Sequence, residues 1–425
     1  MHDGDMRHWR ERVRSAFWPT PLFLLFLGIV LPTFTEPLDE LVSLDPTLVT
    51  GTPLTDETNR AVISTIAAAM LSFLGVVFSM SLVGLQLAAS QLSPRVLRIY
   101  ARLRITKITL GVFLATFAYS VTVLGVIGEN KLDDGTSYVP IVSLALNWLL
   151  LFTSLVLFVF YVNTILRLMR STYMIEAVAS EARGVIDEWY PAARPDESAT
   201  VPDRAPDGVV LAAEPSVLTS LNFRRLVRTA ARQGVLLRVV PRVGDFVARG
   251  APLVQVWGER LPYASTVRGA FHWGRERTLH DDPSYALRLL VDIAIRALSP
   301  AVNDPTTAVQ AIDRIVDLLA DIGARPDAAG VHRDRRGVPR VIAEVPDFAS
   351  LTRLAFTEIR RYGADAPQVS RRLLAALDDL AVILPPELTG VVAAHRELLA
   401  AAVRRAVPAG AELAIALTPD RQGLG

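Results

Sequence analysis

One stretch constrains the fold of this chain more than any other, because Ala61 to Ala89 contains 29 residues without a charged side chain. About 20 apolar residues are enough for a helix to cross a bilayer. Polar residues nevertheless recur there at steps of seven, and a step of seven along a straight helix drifts by only about 20°. The members of this polar stripe are Thr65, Ser72, Ser79, Gln86 and Ser93. The stretch therefore predicts a transmembrane helix with one polar face.

The polar stripe has two interpretations. A polar helix face can line the water-filled pore of a homo-oligomer, and the stripe residues are then candidates for pore lining. Small and hydroxyl-bearing residues such as Ser72 and Gly75 also let neighbouring membrane helices pack closely. The sequence leaves both interpretations open.

A run of basic residues follows the stripe. Arg95, Arg98 and Arg102 share one face of a short predicted helix, whose other residues are largely apolar. Such a helix can lie at the inner membrane surface, where its arginines contact anionic lipid headgroups. The alternative is an ordinary basic flank of a membrane span.

Composition supports a membrane protein with additional domains outside the bilayer. Of the 425 residues, 51% are hydrophobic and only 20% are charged, and the mean hydropathy is +0.34. A net charge of +1 gives no general attraction to nucleic acid. The chain has no cysteine, which excludes disulfides, a thiol nucleophile and a zinc–thiolate site. Lys107 and Lys131 are the only lysines, so no later residue can form a Schiff base or carry a lipoyl or biotinyl group.

Hydropathy predicts four spans, at about residues 17–34, 61–89, 108–127 and 141–165. Arginine and lysine concentrate before span one, between spans two and three, and after span four. By the positive-inside rule, both termini are therefore predicted to lie in the cytoplasm. No charge lies within these predicted spans, which argues against a proton- or ion-coupled pump.

The residues after this four-span, α-helical membrane domain (1–170) predict a cytoplasmic α+β region. It comprises a juxtamembrane helix and linker at 171–207, a small β-rich domain at 208–262 and a mainly helical domain at 263–425. Residues 243–256 resemble the hairpin of barrel-sandwich domains, whose turn requires a glycine with positive φ. Because this part contains no lysine, we interpret the segment as structural and expect no cofactor.

A second group of polar residues surrounds the predicted helix from Ser284 to Leu298. Arg288, Asp292 and Arg296 are spaced by four, so Asp292 can pair with either arginine on one face. The helix is otherwise apolar, which predicts that it is packed on most sides.

Two Asp-Pro pairs, Asp282-Pro283 and Asp304-Pro305, each predict an N-cap followed by proline at the first helical position. The residues near these caps form either a structural ion-pair network or a site for an anionic ligand. The candidates are Arg277, Arg288, Asp292, Arg296, Asn303 and Asp304.

Four stretches carry a resemblance to a known family, namely Ser90–Arg95, Gly244–Val247, Arg277–Thr278 and Val291–Pro305. Together they resemble the bacterial predicted membrane proteins catalogued as domain of unknown function 2254, over nearly the whole chain. The resemblance implies a protein of the bacterial inner (plasma) membrane with a cytoplasmic C-terminal region. It implies no activity.

A search for catalytic motifs favours a protein that is not an enzyme. No histidine pair has metal-binding spacing, and neither a Gly-x-Ser-x-Gly elbow nor a glycine-rich dinucleotide loop is present. Asp292 and Asp304 can form a carboxylate pair, but an ion pair and an N-cap already explain them. We therefore predict a homo-oligomeric channel or pore lined by span two, with a cytoplasmic region that assembles or gates it. The alternative is a membrane-anchored regulatory or scaffold protein that binds a partner or an anionic ligand.

The predicted orientation can be tested with reporter fusions. Alkaline phosphatase, which folds only in the periplasm, is expected to be inactive after Gly425 and active when inserted at residues 130–136. The reason is that the basic residues that flank each of the four spans indicate the same orientation. Enzyme activity in intact cells is the readout, and a green fluorescent protein fused after Gly425 is the matched control. The opposite pattern would contradict this topology.

Overall fold

The computed structural model describes residues 17–42, 56–91, 104–129, 141–190, 199–279, 281–326 and 330–423. Contacts divide the described residues into a membrane unit up to Arg170 and a C-terminal unit from Ser171. Four apolar helices are followed by a mixed α/β region and then by helices, which confirms this predicted order of elements.

Within the described residues, five helices form the membrane unit. They are α1 (Pro19–Val30), α2 (Pro32–Val42), α3 (Asp56–Gln91), α4 (Arg104–Glu129) and α5 (Ile141–Leu168). Four stretches of these helices are long and apolar enough to cross a membrane: Pro19–Asp39, Glu57–Gln86, Arg104–Gly125 and Ile141–Leu168. They correspond to the four predicted spans.

Span one is longer than the sequence predicts. Pro32 begins α2, a position where its missing amide hydrogen costs little, and the helix continues past Pro37 to Val42. Asp39 therefore belongs to span one instead of a loop. The expectation that no charge lies within any span is therefore wrong for the longer stretches of the structure, whose charged residues are Glu36, Asp39, Glu57, Arg60, Arg104, Lys107 and Arg167.

Span three is the centre of the membrane unit. In its most apolar stretch 50% of the residues are buried, against 17% to 28% in the corresponding stretches of the other three spans. Helix α1 packs closely on α4 at two glycines. A Cβ atom on Gly28 would overlap the backbone of Ala115, and one on Gly111 would lie 3.2 Å from the Cα atom of Pro21. Small residues thus bring these two membrane helices together, as is typical of helix pairs in a bilayer.

Span two is attached to the other spans through side chains. The ring of Phe73 lies 6.1 Å from that of Phe113 in span three and 5.2 Å from that of Phe158 in span four, both in edge-on geometry. In addition, the Tyr161 hydroxyl of span four donates a 2.8 Å hydrogen bond to the carbonyl oxygen of Val77. These contacts fix which face of span two points into the unit.

The C-terminal unit contains nine helices and eight strands within its described residues. The helices are α6 (Ser171–Trp189), α7 (Phe223–Gln233), α8 (Ala264–Arg268), α9 (Pro283–Ala297), α10 (Pro305–Gly323), α11 (Phe348–Gly363), α12 (Pro367–Ile383), α13 (Pro386–Ala406) and α14 (Ala411–Ala416). The strands are β1 (Gly208–Leu211), β2 (Ser216–Leu221), β3 (Leu236–Val239), β4 (Phe246–Val247), β5 (Pro252–Trp257), β6 (Phe271–Gly274), β7 (Val331–Arg333) and β8 (Pro339–Ala343).

The strands form two sheets, one of five strands in the order β1-β5-β3-β8-β7 and one of three in the order β4-β2-β6. All neighbours are antiparallel except β3 and β8, which are parallel. Strands β6, β7 and β8 follow residue 262, yet β6 pairs with β2 and β8 pairs with β3. The β-rich and the helical segments of the sequence therefore share these sheets.

The segment 243–256 does not form the expected hairpin, because β4 and β5 belong to different sheets. Gly250 has the predicted positive φ of 79°, and its amide donates to the carbonyl oxygen of Ala212 at 3.0 Å. This turn leads the chain away from β4 and into the five-stranded sheet beside β1. The prediction of a β-rich segment holds, and its barrel-sandwich character is not confirmed.

Helix α9 is the most enclosed element of the C-terminal unit, as its sequence predicts. Eleven of its 15 residues are buried, and it packs against α6, α10 and α11. Asp282 and Asp304 cap α9 and α10 through 3.0 Å bonds from the amides of Tyr285 and Thr307. Both predicted Asp-Pro caps are thereby confirmed.

The close approach of α1 and α4 can be tested with a pair of matched substitutions. Gly28→Ala is expected to destabilise the membrane unit by about 1–3 kcal/mol, because the new methyl group overlaps the α4 backbone. Gly125→Ala, which meets no atom within 4 Å, is the control and should leave stability unchanged. Thermal unfolding of the full-length protein in detergent measures both. Equal melting temperatures would mean that α1 does not pack on α4 in this way.

Candidate functional site

The polar stripe of span two faces away from the membrane unit. The buried face of the helix carries Ile63, Met70 and Val77, each 0% exposed. The stripe residues within the described part of the chain are exposed: Thr65, Ser72, Ser79 and Gln86. Ser93, the last stripe residue, lies outside the described residues, as do Arg95, Arg98 and Arg102, whose contact with lipid headgroups stays a prediction.

The stripe residues differ in how their polar atoms are satisfied. The hydroxyl groups of Thr65 and Ser72 donate to the carbonyl oxygens of Ala61 and Ala68 on the same helix, at 2.7 and 3.1 Å. The side-chain amide of Gln86 has no hydrogen-bond partner among the described residues. A side-chain amide offers two donors and one acceptor, so this end of the stripe has the greatest need for an outside partner.

A second set of polar residues, on spans three and four, is buried within the unit. The hydroxyl oxygens of Thr116 and Ser154 lie 3.1 Å apart, and Ser120 donates to the amide oxygen of Asn147 at 3.1 Å. All four side chains are 0% exposed. They join the two spans through hydrogen bonds that have no water to compete with them.

Asp39 closes the same network at the start of span four and is only 1% exposed. Its carboxylate accepts hydrogen bonds from the Val142 amide at 2.6 Å and from the Ser143 hydroxyl at 2.5 Å. A carboxylate at a helix N-terminus satisfies free amide groups and interacts favourably with the helix dipole. Thr35 and Tyr119 extend the network, with oxygens 2.8 Å from the Ser143 hydroxyl and 3.2 Å from its carbonyl oxygen respectively.

This network was missed by the sequence-based reasoning, although a signal for it exists. Asn147, Ser154 and Tyr161 recur at steps of seven on span four, as do Thr109 and Thr116 on span three. The same periodicity that singled out span two therefore marks buried positions on its neighbours. Asp39 was not expected in this network, because the predicted span one ended at residue 34.

In the C-terminal unit, Arg277 contacts Gly244, so that two of the stretches that carry the family resemblance, Gly244–Val247 and Arg277–Thr278, meet. Its guanidinium contacts the Asp282 carboxylate, which is 2% exposed, at 2.7 Å, and covers the Tyr285 ring at 5.2 Å from the ring centre. Burial raises the pKa of Asp282, and the charge of Arg277 opposes that effect. Gly244 has φ of 96°, and a Cβ atom there would overlap both members of the ion pair. The stretches around Gly244 and Arg277 thus pack against the cap of α9.

A cleft of about 240 Å³ opens beside this ion pair. Its charged lining comprises Arg242, Asp245, Arg277, Asp281, Asp282 and Glu344, and its apolar lining includes Trp189, Leu351 and Leu354. Arg242 is already paired with Glu344, as Arg277 is with Asp282. The cleft therefore has more carboxylates than arginines, which does not favour an anionic ligand bound by Arg277.

Arg288 belongs to a different ion-pair group. Its Nε atom lies 2.8 Å from Asp292, which is 8% exposed, and its two terminal nitrogens donate to both carboxylate oxygens of Glu358 at 2.6 and 2.9 Å. The hydrogen bonds with Glu358 raise the pKa of Arg288. The pairing expected for Asp292 is thus present with Arg288, and Glu358 is a partner that helical spacing alone did not indicate.

The remaining candidates lie at the turn between α9 and α10. Asn303 has a positive φ of 47°, which asparagine tolerates better than most residues, and the chain then reverses into α10. Asp304 accepts hydrogen bonds from the amide and the hydroxyl of Thr307, at 3.0 and 2.6 Å. Arg296 is in the last turn of α9. Within the described residues, no group of three metal-ligating side chains occurs.

Comparison with known proteins agrees with this organisation. The family model described as "Predicted membrane protein (DUF2254)" matches residues 14–379. Uncharacterized protein Rv1290c of Mycobacterium tuberculosis and uncharacterized protein Mb1321c of Mycobacterium bovis are each 30% identical over 387 residues, which cover 87% of this chain and 73% of the relative. No solved structure matches the chain.

The contact between Gly244 and the Arg277–Asp282 pair can be tested by comparing two glycines that both have positive φ. Gly244→Ala is expected to lower the melting temperature more than Gly250→Ala. Both substitutions strain the backbone, by about 1 kcal/mol or more, but only the first forces the buried ion pair to move. Thermal unfolding of the full-length protein gives the comparison. Equal effects would show that the ion pair does not rest on Gly244.

Proposed function

The chain belongs to the family of predicted membrane proteins known as domain of unknown function 2254, and on this premise we propose that it is a homo-oligomeric channel of the bacterial inner membrane, lined by span two. Its C-terminal unit, which we place in the cytoplasm, assembles or gates the pore. The comparisons give a membrane protein without an assigned activity. The proposal therefore depends on the arrangement of polar groups in the spans.

The single observation that carries the proposal is the outward direction of the polar stripe. Ser72, Ser79 and Gln86 form an exposed stripe on the membrane unit, whereas spans three and four bury polar side chains such as Ser120 and Asn147 and expose only scattered ones, for example Asn163. Polar groups that face lipid are rare, and they normally face protein or water. In an oligomer, the stripes of several copies can face one another and so contact protein. If they surround a water-filled space instead, they line a pore.

The alternative function is a membrane-anchored regulatory or scaffold protein. The observation that favours it is the cleft of the C-terminal unit, which two family-like stretches border. In this case the stripe of span two only packs against its copies, and the cleft binds a partner. The two functions differ in whether water reaches the stripe.

Cysteine labelling in the membrane distinguishes these functions. Ser72→Cys and Ser79→Cys are expected to react with a small water-soluble thiol reagent, because they line an aqueous pore. Two controls are expected to stay protected: Val77→Cys, on the buried face, and Phe152→Cys, which is 59% exposed on span four and expected to face lipid. The chain has no cysteine of its own, so the background is clean.

Substitution of Gln86 provides the matching functional test. Gln86→Leu is expected to lower ion flux through liposomes that contain the protein, without changing its oligomeric size in detergent. If the stripe only packs, the same change removes an interhelical hydrogen bond worth about 0.6 kcal/mol and weakens assembly. Protected cysteines at Ser72 and Ser79, together with loss of the oligomer in Gln86→Leu, would contradict the channel and favour the scaffold.

A further inference from the structure

A cluster of basic side chains lies on two packed helices of the C-terminal unit. Arg353 and Arg360 are seven residues apart on α11 and therefore share a face, while His395 and Arg405 belong to α13. The ring of Phe356, between the two arginines of α11, lies 6.1 Å from the ring of His395. We call these four basic residues the α11–α13 cluster.

Two members of the cluster have buried nitrogen atoms without a partner. His395 is 9% exposed, and its Nδ1 atom is buried and makes no hydrogen bond within the described part of the chain. The Nη1 atom of the half-buried Arg360 is likewise buried and without an acceptor among the described residues. Buried donors normally have partners, and each exception requires an explanation such as a bound ion.

The cluster also lacks a counter-charge. Among the described residues, no carboxylate forms an ion pair with Arg353, Arg360 or Arg405. Asp347 interacts electrostatically with Arg353, but its carboxylate caps α11 by accepting a hydrogen bond from the Ser350 amide. Other well-buried arginines of this unit are paired, for example Arg340 with Asp334 at 2.8 Å.

The electrostatic effect of this arrangement appears in two titrating groups. Burial lowers the pKa of Arg360, and the charge of Arg405 lowers it further. Burial also lowers the pKa of His395, with additional contributions from Arg360 and Arg353. The positive groups therefore repel one another in the free protein, and an anion among them would relieve that repulsion.

We propose that the α11–α13 cluster is a binding site for a phosphate group, carried either by a free phosphate compound or by a lipid headgroup. A phosphate offers several acceptor oxygens, which suits the forked guanidinium of Arg360 together with the Nδ1 atom of His395. Its double negative charge also matches a group of at least three cations better than a single carboxylate does. The ring of Phe356, which is 2% exposed, lies beside the ring of His395. This inference does not depend on the role of span two.

The first test titrates inorganic phosphate into the full-length protein in a nonionic detergent, at an ionic strength held constant with chloride. Calorimetry and thermal unfolding are expected to show saturable binding. Arg360→Gln is expected to weaken binding about tenfold or more, since it removes the forked donor. Arg361→Gln, a neighbour on the same helix that lies on a different face from Arg353 and Arg360, is the control and should change the dissociation constant by less than about twofold.

Folding of the variants is monitored without phosphate. Arg360→Gln is expected to melt at the same or a higher temperature than the unmodified protein, because it removes a repelled charge. Should this variant fail to fold, Arg405→Gln, an exposed position at the end of α13, replaces it in the comparison with Arg361→Gln. It is expected to weaken binding about threefold or more.

A second arm identifies the source of the phosphate. The same proteins are placed in nanodiscs of phosphatidylcholine, with and without phosphatidic acid, and their unfolding is compared. Stabilisation by inorganic phosphate alone assigns a free phosphate compound, and stabilisation by phosphatidic acid alone, lost in Arg360→Gln, assigns a lipid headgroup. No response to either probe, or an equal loss in Arg361→Gln, would overturn the proposal.

Discussion

The membrane unit depends on one constraint, namely that a polar side chain inside a bilayer must find its partner in the protein or in enclosed water. Spans three and four meet much of this constraint together, through pairs such as Ser120 with the side-chain oxygen of Asn147, whereas the Asn147 amide nitrogen and the Thr109 hydroxyl have no partner among the described residues. Asp39 meets it at the start of span four, where a buried carboxylate is matched by amide and hydroxyl donors. Span one is fixed by this contact as well as by its packing on α4. Span two is the exception, because its polar face points outward.

The C-terminal unit is organised by aspartates that act at helix starts. Asp282 begins the most enclosed helix, α9, and its second carboxylate oxygen holds Arg277. The pair occupies space that is available only because residue 244 is glycine. The loop at Gly244 in the β-rich segment therefore contacts the Arg277–Asp282 pair in the helical segment. Since strands also pair across residue 262, the two segments fold as parts of one unit.

Local sequence rules predicted much of this fold. Features that depend on pairing between distant segments were not predicted. The four spans and the two Asp-Pro caps follow from hydropathy and from the chemistry of helix ends, which act over a few residues. The partner of β4 could not be predicted, because strand pairing depends on contacts between distant segments. For the same reason Glu358, 70 residues from Arg288, was not expected as its partner. Periodicity located the stripe of span two but gave no indication of which spans bury their polar faces.

Among the unsatisfied polar groups of the described residues, those of the span-two stripe and those of the α11–α13 cluster differ in what they require. On span two, Thr65 and Ser72 satisfy their hydroxyls on their own helix, so those positions tolerate lipid, protein or water equally. Gln86 has no such route among the described residues, and its surroundings therefore decide between a pore and a packed interface. In the α11–α13 cluster, the unsatisfied groups are basic and partly buried, and water at a surface satisfies them incompletely. An amide can be satisfied by another copy of the same helix, whereas a group of cations requires an anion. The stripe thus points to self-association, and the cluster points to a chemically different ligand.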